Sequence, residues 1–267
     1  MLELNKIYFE DCLKGMQQIS DQSINMILCD LPYGSTSCKW DIIIPFKDLW
    51  KQYNRIIKEN GTVALFGSQP FSSFAIQSNL KMFKYEIIWE KGKGAGFFHA
   101  NYQPLKAHEN ILIFSKGNST YSINGNFMTY NPQMTNGKSI IRPVKGKKLV
   151  GMLAEKAPNS IVKSSKNYDG SKRFPISVIK FSQDFEKLHP TQKPILLCEW
   201  LIKTYSNEDE LILDNCMGSG TTAIASMNTK RNFIGFENDP KYYEIGVKRI
   251  EKWQMEFLLG EQKCLYQ

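Results

Sequence analysis

Two stretches of this chain carry residue types that could do chemistry. Asp30-Leu31-Pro32-Tyr33 closes the apolar run Ile24 to Cys29, so an acidic side chain, a proline and an aromatic stand together at the end of a short strand. In an open α/β sheet, ligands bind beyond the carboxyl ends of the strands. Asp and Pro are also ordinary turn residues, and taken alone the four read equally as a plain strand exit. The second stretch, Asp214 to Thr222 (DNCMGSGTT), follows the apolar Leu211-Ile212-Leu213. Strand, Gly-x-Gly turn and helix start make a nucleotide-type site. The glycines let backbone approach a ligand, and the helix start offers unbonded N–H groups. A dinucleotide fingerprint would need a third glycine and a P-loop would need Gly-Lys-Ser/Thr, and neither is present. Glu237 ends the next apolar run about 20 residues on. A carboxylate there can accept two hydrogen bonds from a ribose diol, the alternative being a plain surface charge.

The elements that must position these residues follow from apolar spacing and breakers. Strands are expected at Lys6–Phe9, Ile24–Cys29, Thr62–Phe66, Tyr85–Glu90, Asn110–Phe114, Glu210–Asp214 and Asn232–Phe236. Helices are expected at Leu13–Ile19, Phe46–Lys58, Pro70–Leu80, Ile195–Tyr205, Thr221–Met227 and from Pro240 to about Leu259. Asn60-Gly61 should stop the second of them. Gly34 to Asp41 reads as a loop. Lys91 to Glu109, glycine-rich and basic, joins two strands and carries Phe97, Phe98, His99, Asn101 and Tyr102. From Gly117 to Lys187 the periodicity weakens and Asn, Ser, Gly and Lys dominate. That segment is either a solvated insertion or a nucleic-acid contact region. In the second case Lys145, Lys147, Lys148, Lys163, Lys166, Lys172 and Arg173 would meet phosphates, and Tyr121, Tyr130 and Tyr168 would stack.

A length of 267 residues fits one large α/β domain, or one domain with a sizeable insertion. The net charge of +8 suits a polyanionic partner. None of the six cysteines forms a C-x-x-C pair, and Cys29 and Cys198 lie in apolar runs, so reduced thiols are expected rather than disulfides or zinc. With three histidines in all, no metal centre is expected either. The N-terminus lacks the apolar core of a signal peptide, and no apolar run approaches a membrane span.

Taken together, the motifs resemble those of the amino-directed, S-adenosylmethionine (SAM)-dependent DNA methyltransferases. Asp214-x-x-x-Gly-Ser-Gly-Thr-Thr resembles their methionine-side SAM motif, Asp30-Leu31-Pro32-Tyr33 their catalytic Asp-Pro-Pro-Tyr motif, and His189-Pro190-Thr191-Gln192-Lys193-Pro194 the segment that closes over the cofactor's carboxylate. Catalytic motif first and cofactor motif last, with a variable basic segment between, is the β arrangement of that family. The resemblance covers residues 5–116 and 188–255.

It implies an α/β, Rossmann-like SAM-methyltransferase fold with a circularly permuted central sheet and an inserted target-recognition region. Residues 1–116 would be the catalytic half, 117–187 the basic target-recognition insertion and 188–267 the SAM-binding half. It further implies that Asp30 and the Leu31 carbonyl accept the two hydrogens of a target amine, and that Tyr33 stacks on the base. Asp214 and the Gly218–Gly220 turn would cradle the methionine part of SAM, with Cys216, Ser219, Thr221 and Thr222 beside them. Thr191 and Lys193, next to His189, would hold the carboxylate, Glu237 with Asn238 the ribose, and Asp11 with Cys12 the adenine side.

Two departures stand out: Leu31 replaces the usual first proline and Asn215 the usual proline after Asp214. The ends of the chain argue for permutation independently. The helix after Glu237 has no strand following it, and Lys6–Phe9 can fill that place in the sheet.

The reading is methyl transfer to adenine N6 in a specific DNA sequence, with base flipping, in a restriction-modification, phage or epigenetic setting. In the family that the chain resembles, aspartate in the catalytic motif favours adenine, whereas the cytosine-N4 enzymes more often carry serine. A cytosine-N4 or RNA-directed methyltransferase is the enzyme alternative. A catalytically silent DNA-binding subunit is the other, and the intact Asp30, Pro32, Tyr33, Gly218 and Gly220 stand against it. Double-stranded DNA is the expected partner. A homodimer and a cognate restriction endonuclease are compatible with the reading, and the expected location is the bacterial or phage-infected cytoplasm, on the nucleoid.

Overall fold

The order of strands places the two motifs side by side. A computed structural model describes residues 2–34, 41–123, 125–137, 171–184 and 192–264. In it, β1 (Lys6–Phe9), β2 (Ile24–Cys29), β3 (Ile57–Gly67), β4 (Phe83–Ala95) and β5 (Lys106–Ser115) precede two short strands, β6 (Thr135–Asn136) and β7 (Lys172–Arg173). Then come β8 (Val178–Lys180), β9 (Leu211–Asp214) and β10 (Asn232–Glu237). Eight of these form one sheet in the order β1-β10-β9-β2-β3-β5-β4-β8. From β1 to β3 every pairing is parallel, β5 is antiparallel to both β3 and β4, and β8 runs parallel to β4. The N-terminal strand lies against β10, with Lys6 opposite Ile234 and Tyr8 opposite Phe236, as the permuted order requires.

Six helices flank this sheet among the described residues: α1 (Cys12–Gln17), α2 (Phe46–Ile56), α3 (Phe71–Ser78), α4 (Ile195–Tyr205), α5 (Thr221–Asn228) and α6 (Pro240–Cys264). The central strands β2, β9 and β10 are buried on both faces, as is most of β3 and β5, which is why they read as unbroken apolar runs rather than alternating ones. Along β2, Met26 and Leu28 join a core with Leu201, Tyr205 and Phe233, while Ile27 and Cys29 join the opposite core with Leu49, Tyr53 and Phe236. Each such fully buried side chain contributes about 1.5–3 kcal/mol. No described helix is long and apolar enough to cross a membrane.

The chain divides into two compact units, Met1–Asn131 with Ser177–Gln267, and Pro132–Ile176. In the second unit β6 and β7 pair antiparallel, Thr135 opposite Arg173. The separate unit is therefore narrower than the expected 117–187 insertion. Thr129 N–H donates to Asn60 O (2.9 Å) and Asn131 N–H to Thr204 O (2.7 Å), which ties the segment before Pro132 to the first unit. Lys145, Lys147, Lys148, Lys163, Lys166 and Tyr168 lie outside the described residues.

Three element expectations change. Helix α2 stops at Ile56, not at Asn60-Gly61, because Ile57 is already extended (ψ 136°) and pairs with Ile24 of β2. Strands β4 and β5 run past their expected ends at Glu90 and Asn110 into the glycine-rich segment between them, pairing as far as Ala95 opposite Lys106. At Gly94 a Cβ would come within 2.6 Å of Leu105 Cβ, so glycine is what lets the two arms close there. Strand β8 was not expected. Its Ile179 is buried opposite Trp89, a local apolar signal too short to stand out in a polar segment.

Candidate active site

Strands β2 and β9 are neighbours, with Ile27 opposite Leu213, so both motifs leave the sheet at its carboxyl edge side by side. They open into a single cleft of about 450 Å³. Every expected site residue among those described lines this cleft except Gly220, which shapes the turn from behind. His189 and Thr191 lie outside the described residues.

Asp30 is held on both oxygens. Its Oδ1 accepts the Tyr33 hydroxyl at 2.7 Å, and its Oδ2 accepts Lys193 Nζ. The Tyr33 ring rests on Phe71 at the start of α3, centroids 4.7 Å apart. Burial and then the Asp30 charge push the Tyr33 phenol well above its ordinary pKa, so it stays a donor. Leu31 is 4% exposed and packed in the core beneath α2, so its side chain anchors the backbone that a proline would otherwise stiffen.

Lys193, which the resemblance puts at the cofactor's carboxylate, lines the cleft beside Asp30. Its ammonium sits between Asp30 and Glu109, 3.5 Å from Glu109 Oε2 and 5.0 Å above the Phe66 ring. Burial alone would lower its pKa, but the charges of Asp30 and Glu109 outweigh burial and raise it. For Glu109 burial acts upward, and Lys193 and Lys91 more than offset it, leaving the carboxyl below its usual range. Lys91 Nζ donates to Glu109 Oε1, across the root of the β4–β5 hairpin. Sequence reasoning missed Glu109. Its signal is an acidic residue at the head of a buried strand, level with Trp89 and two residues from Lys91 across the pairing. Phe66 and the exposed pair Ile42 and Ile43 also line the cleft unforeseen.

The Asp214–Thr222 turn is built from backbone. Asp214 is buried, its Oδ2 accepting the Thr222 hydroxyl (2.6 Å) and its Oδ1 the Cys216 N–H (3.0 Å). It thus staples the two ends of the turn, and burial pushes its carboxyl up to about 6. Gly220 sits at φ +82°, and a Cβ there would lie 3.2 Å from Gly246 Cα in α6. Arg249, one turn on, donates to Ser219 O (2.9 Å) and to the Thr221 hydroxyl (3.2 Å). Asn215, in the place of a proline, accepts the buried Tyr53 hydroxyl, so the substitution is absorbed by a hydrogen bond.

Glu237 accepts Gly218 N–H on Oε2 (2.7 Å) and the N–H groups of Asn238 (2.9 Å) and Asp239 (2.8 Å) on Oε1. A carboxylate has about four acceptor positions, so a ligand hydroxyl can still bond to Oε2. Burial raises its pKa, against those backbone donors. Asp11 caps α1 by accepting Lys14 N–H (3.1 Å) and also faces the cleft. The nearby thiols are protonated: burial pushes Cys29 up to about 12, and Cys216 lies well above its ordinary value.

Comparison with known proteins gives a consistent set. The profile of the N6/N4 DNA methylase family matches residues 24–248. The Type II methyltransferase M1.MboII of Moraxella bovis is 29% identical over 266 residues, spanning 91% of this chain and 95% of that protein. DNA adenine methyltransferase YhdJ of Escherichia coli (strain K12) is 24% identical, spanning 93% and 83%. Among solved structures, PvuII DNA methyltransferase (cytosine-N4-specific) superposes with a TM-score of 0.64 at 15% identity, over 91% of this chain and 84% of that one. The M1.HpyAVI–SAM complex gives 0.58 at 20% identity, over 91% and 98%. At those identities the two structures speak for the fold.

Proposed function

We propose that this chain, which belongs to the N6/N4 DNA methylase family, methylates the exocyclic N6 amine of adenine within a specific sequence of duplex DNA. It is a SAM-dependent DNA methyltransferase directed at an exocyclic amine, N6 of adenine or N4 of cytosine. The choice of adenine and the residue roles are the proposal.

The residues present fit SAM. Glu237 keeps an acceptor position at the cleft wall for a ribose hydroxyl, the Gly218–Gly220 turn offers backbone rather than bulk, and the cleft of about 450 Å³ falls within the range of small-molecule sites. Asp11 and Cys12 lie on the side proposed for the adenine ring, and Asp214 keeps the turn closed. When bound, SAM supplies an electrophilic methyl group.

The chain's own residues prepare the amine. Asp30 accepts one amine hydrogen through the second lone pair of an oxygen already bonded to Tyr33 or Lys193. The Leu31 carbonyl accepts the other. Held this way, the nitrogen turns its lone pair out of conjugation with the ring and becomes nucleophilic without prior loss of a proton. The proton released once nitrogen has formed its new bond can pass to Asp30. Tyr33, supported by Phe71, offers the stacking face for a flipped base and offsets part of the unstacking cost of a few kcal/mol.

The observation that carries the reading is Asp30 fixed on both oxygens at the mouth of the cofactor turn. Tritium transfer from labelled SAM to unmethylated duplex DNA, followed by nucleoside analysis, tests it. N6-methyladenine should form with the wild type and vanish with Asp30→Ala. N4-methylcytosine, or transfer only to RNA, would overturn the adenine assignment, and a silent wild type would overturn catalysis. The basic 117–187 insertion supplies target recognition in this reading, so exchanging it should change the methylated sequence. A restriction-modification setting goes with the same proposal, supported by the Type II name of the M1.MboII relative.

A further inference from the structure

The β4–β5 hairpin overhangs the edge of the sheet from which Asp30 emerges, and the strand register fixes this. Cys29 lies level with Leu65 and Leu65 with Leu112, and β3 ends at Gly67 opposite Asn110. Strand β5, however, begins at Lys106. Four further residues at about 3.3 Å each carry the hairpin roughly 13 Å past that edge. At its root, Glu109 pairs with Lys91 of the opposite arm and with Lys193, which holds Asp30. The overhang is thus tied to the proposed catalytic carboxylate by one chain of ion pairs.

Residues 92–106 are exposed throughout. Phe97 is 80%, Phe98 99% and Tyr102 88% exposed, three large aromatic rings with no cover. Exposed apolar surface of this kind marks an interaction site. The charge identifies the partner: Lys93 and Lys106 lie along the exposed arms, Lys91 being paired with Glu109 at the root, and no Asp or Glu occurs between Glu90 and Glu109. Cations that track a backbone beside rings that stack are the chemistry of nucleic-acid contact. The tip is self-contained, since Gly96 turns at φ +87° in open space and Ala100 N–H closes back on Phe97 O.

We propose that Phe97 and Phe98 enter the base stack of the DNA beside the extruded target and fill the space it leaves. The proposal rests on the duplex-DNA and base-flipping reading above. Flipping leaves an unpaired base and a gap in the stack, and an apolar wedge placed there lowers the cost of the extruded state. The wedge matters only while a paired base must be displaced.

The test uses the full chain with Phe97→Ala and Phe98→Ala together, two surface positions, with SAM binding as the check on folding. Methyl transfer is measured on a duplex with a normally paired target and on one in which the partner of the target is an abasic site. On the paired duplex kcat/KM should fall by about 10-fold or more, the scale of one lost base–aromatic stack. On the abasic duplex it should stay near the wild type. Equal losses on both duplexes, or none on either, would overturn the wedge while leaving the methyltransferase reading intact. So would a shift in oligomeric state with unchanged kinetics, which would assign the rings to self-association. A wild type silent on both duplexes would overturn the DNA reading, and the wedge with it.

Discussion

Replacing Lys193 by Met separates two roles for one residue. The Lys193 side chain is 8% exposed and bridges Asp30 and Glu109, 3.5 Å from the latter. At an effective dielectric of about 20, unit charges at that distance attract by about 5 kcal/mol. Desolvation of the ammonium cancels part of this, and breaking such a buried pair costs about 3–5 kcal/mol. Two features pull the loss to the low end of that range. Glu109 keeps Lys91, and the Asp30 side chain, 24% exposed, can hydrate. Methionine also preserves the packing over Phe66. The catalytic consequence is the loss of a charge-assisted hydrogen bond that orients Asp30, about 1.5–3 kcal/mol, or roughly a 10- to 150-fold fall in kcat. The assay pairs single-turnover methyl transfer at saturating SAM with calorimetric SAM binding. The geometry requires a lowered kcat with near-normal SAM affinity. Lost SAM affinity with a preserved single-turnover rate would refute it and return Lys193 to the cofactor carboxylate.

Asp214 sets a pH window. An unfolded Asp titrates near 3.9, and the folded carboxyl is pushed up to about 6. Between those values the folded chain keeps a proton that the unfolded chain has lost, so stability falls as pH rises from about 4 to 6, by roughly 2–3 kcal/mol in all. Denaturant titrations should show this slope in the wild type and a flatter one in Asp214→Asn; parallel curves would contradict it. Gly220→Ala forces a side chain into φ +82° with its Cβ 3.2 Å from Gly246 Cα. A loss of about 1–2 kcal/mol is expected, with weakened SAM binding, and unchanged calorimetric affinity would count against the turn's role. Tyr53→Phe strands the Asn215 carbonyl in a buried site. It should lower stability by about 1–3 kcal/mol, and an unaltered thermal midpoint would show that water replaces the hydroxyl.

The sheet and both motifs were legible because their signals are local. An apolar run buried on both faces, a breaker and a functional turn residue fall within ten positions at Ile24–Tyr33 and within twelve at Leu211–Thr222. The permuted place of β1 was legible from the want of a strand after Glu237. What could not be read was pairing across distance. Lys193 lies within a motif that resembles a cofactor contact, and nothing local in the sequence shows that Glu109, 84 positions earlier, stands beside its ammonium. The hairpin arms hid behind glycines at 92, 94 and 96, which look like loop until cross-strand partners are known. Ile57 fits a helical period as well as a strand, and only its pairing with Ile24 decides.

The pairing of β1 with β10 has a consequence for synthesis. Lys6 waits for Ile234 and Met26 for Ile212, so the first strand, and one side of β2, have no partner until the last part of the chain has emerged. At about 5–20 residues per second, the intervening chain takes roughly 11–45 s to appear. Contacts this far apart in sequence close late and slowly. Throughout that interval Ile24–Cys29 is an apolar strand with an open edge, a template for aggregation. The same late closure means that the Asp214–Thr222 turn cannot come to lie beside Asp30 before the chain has been made as far as β9 and the helix start that follows it.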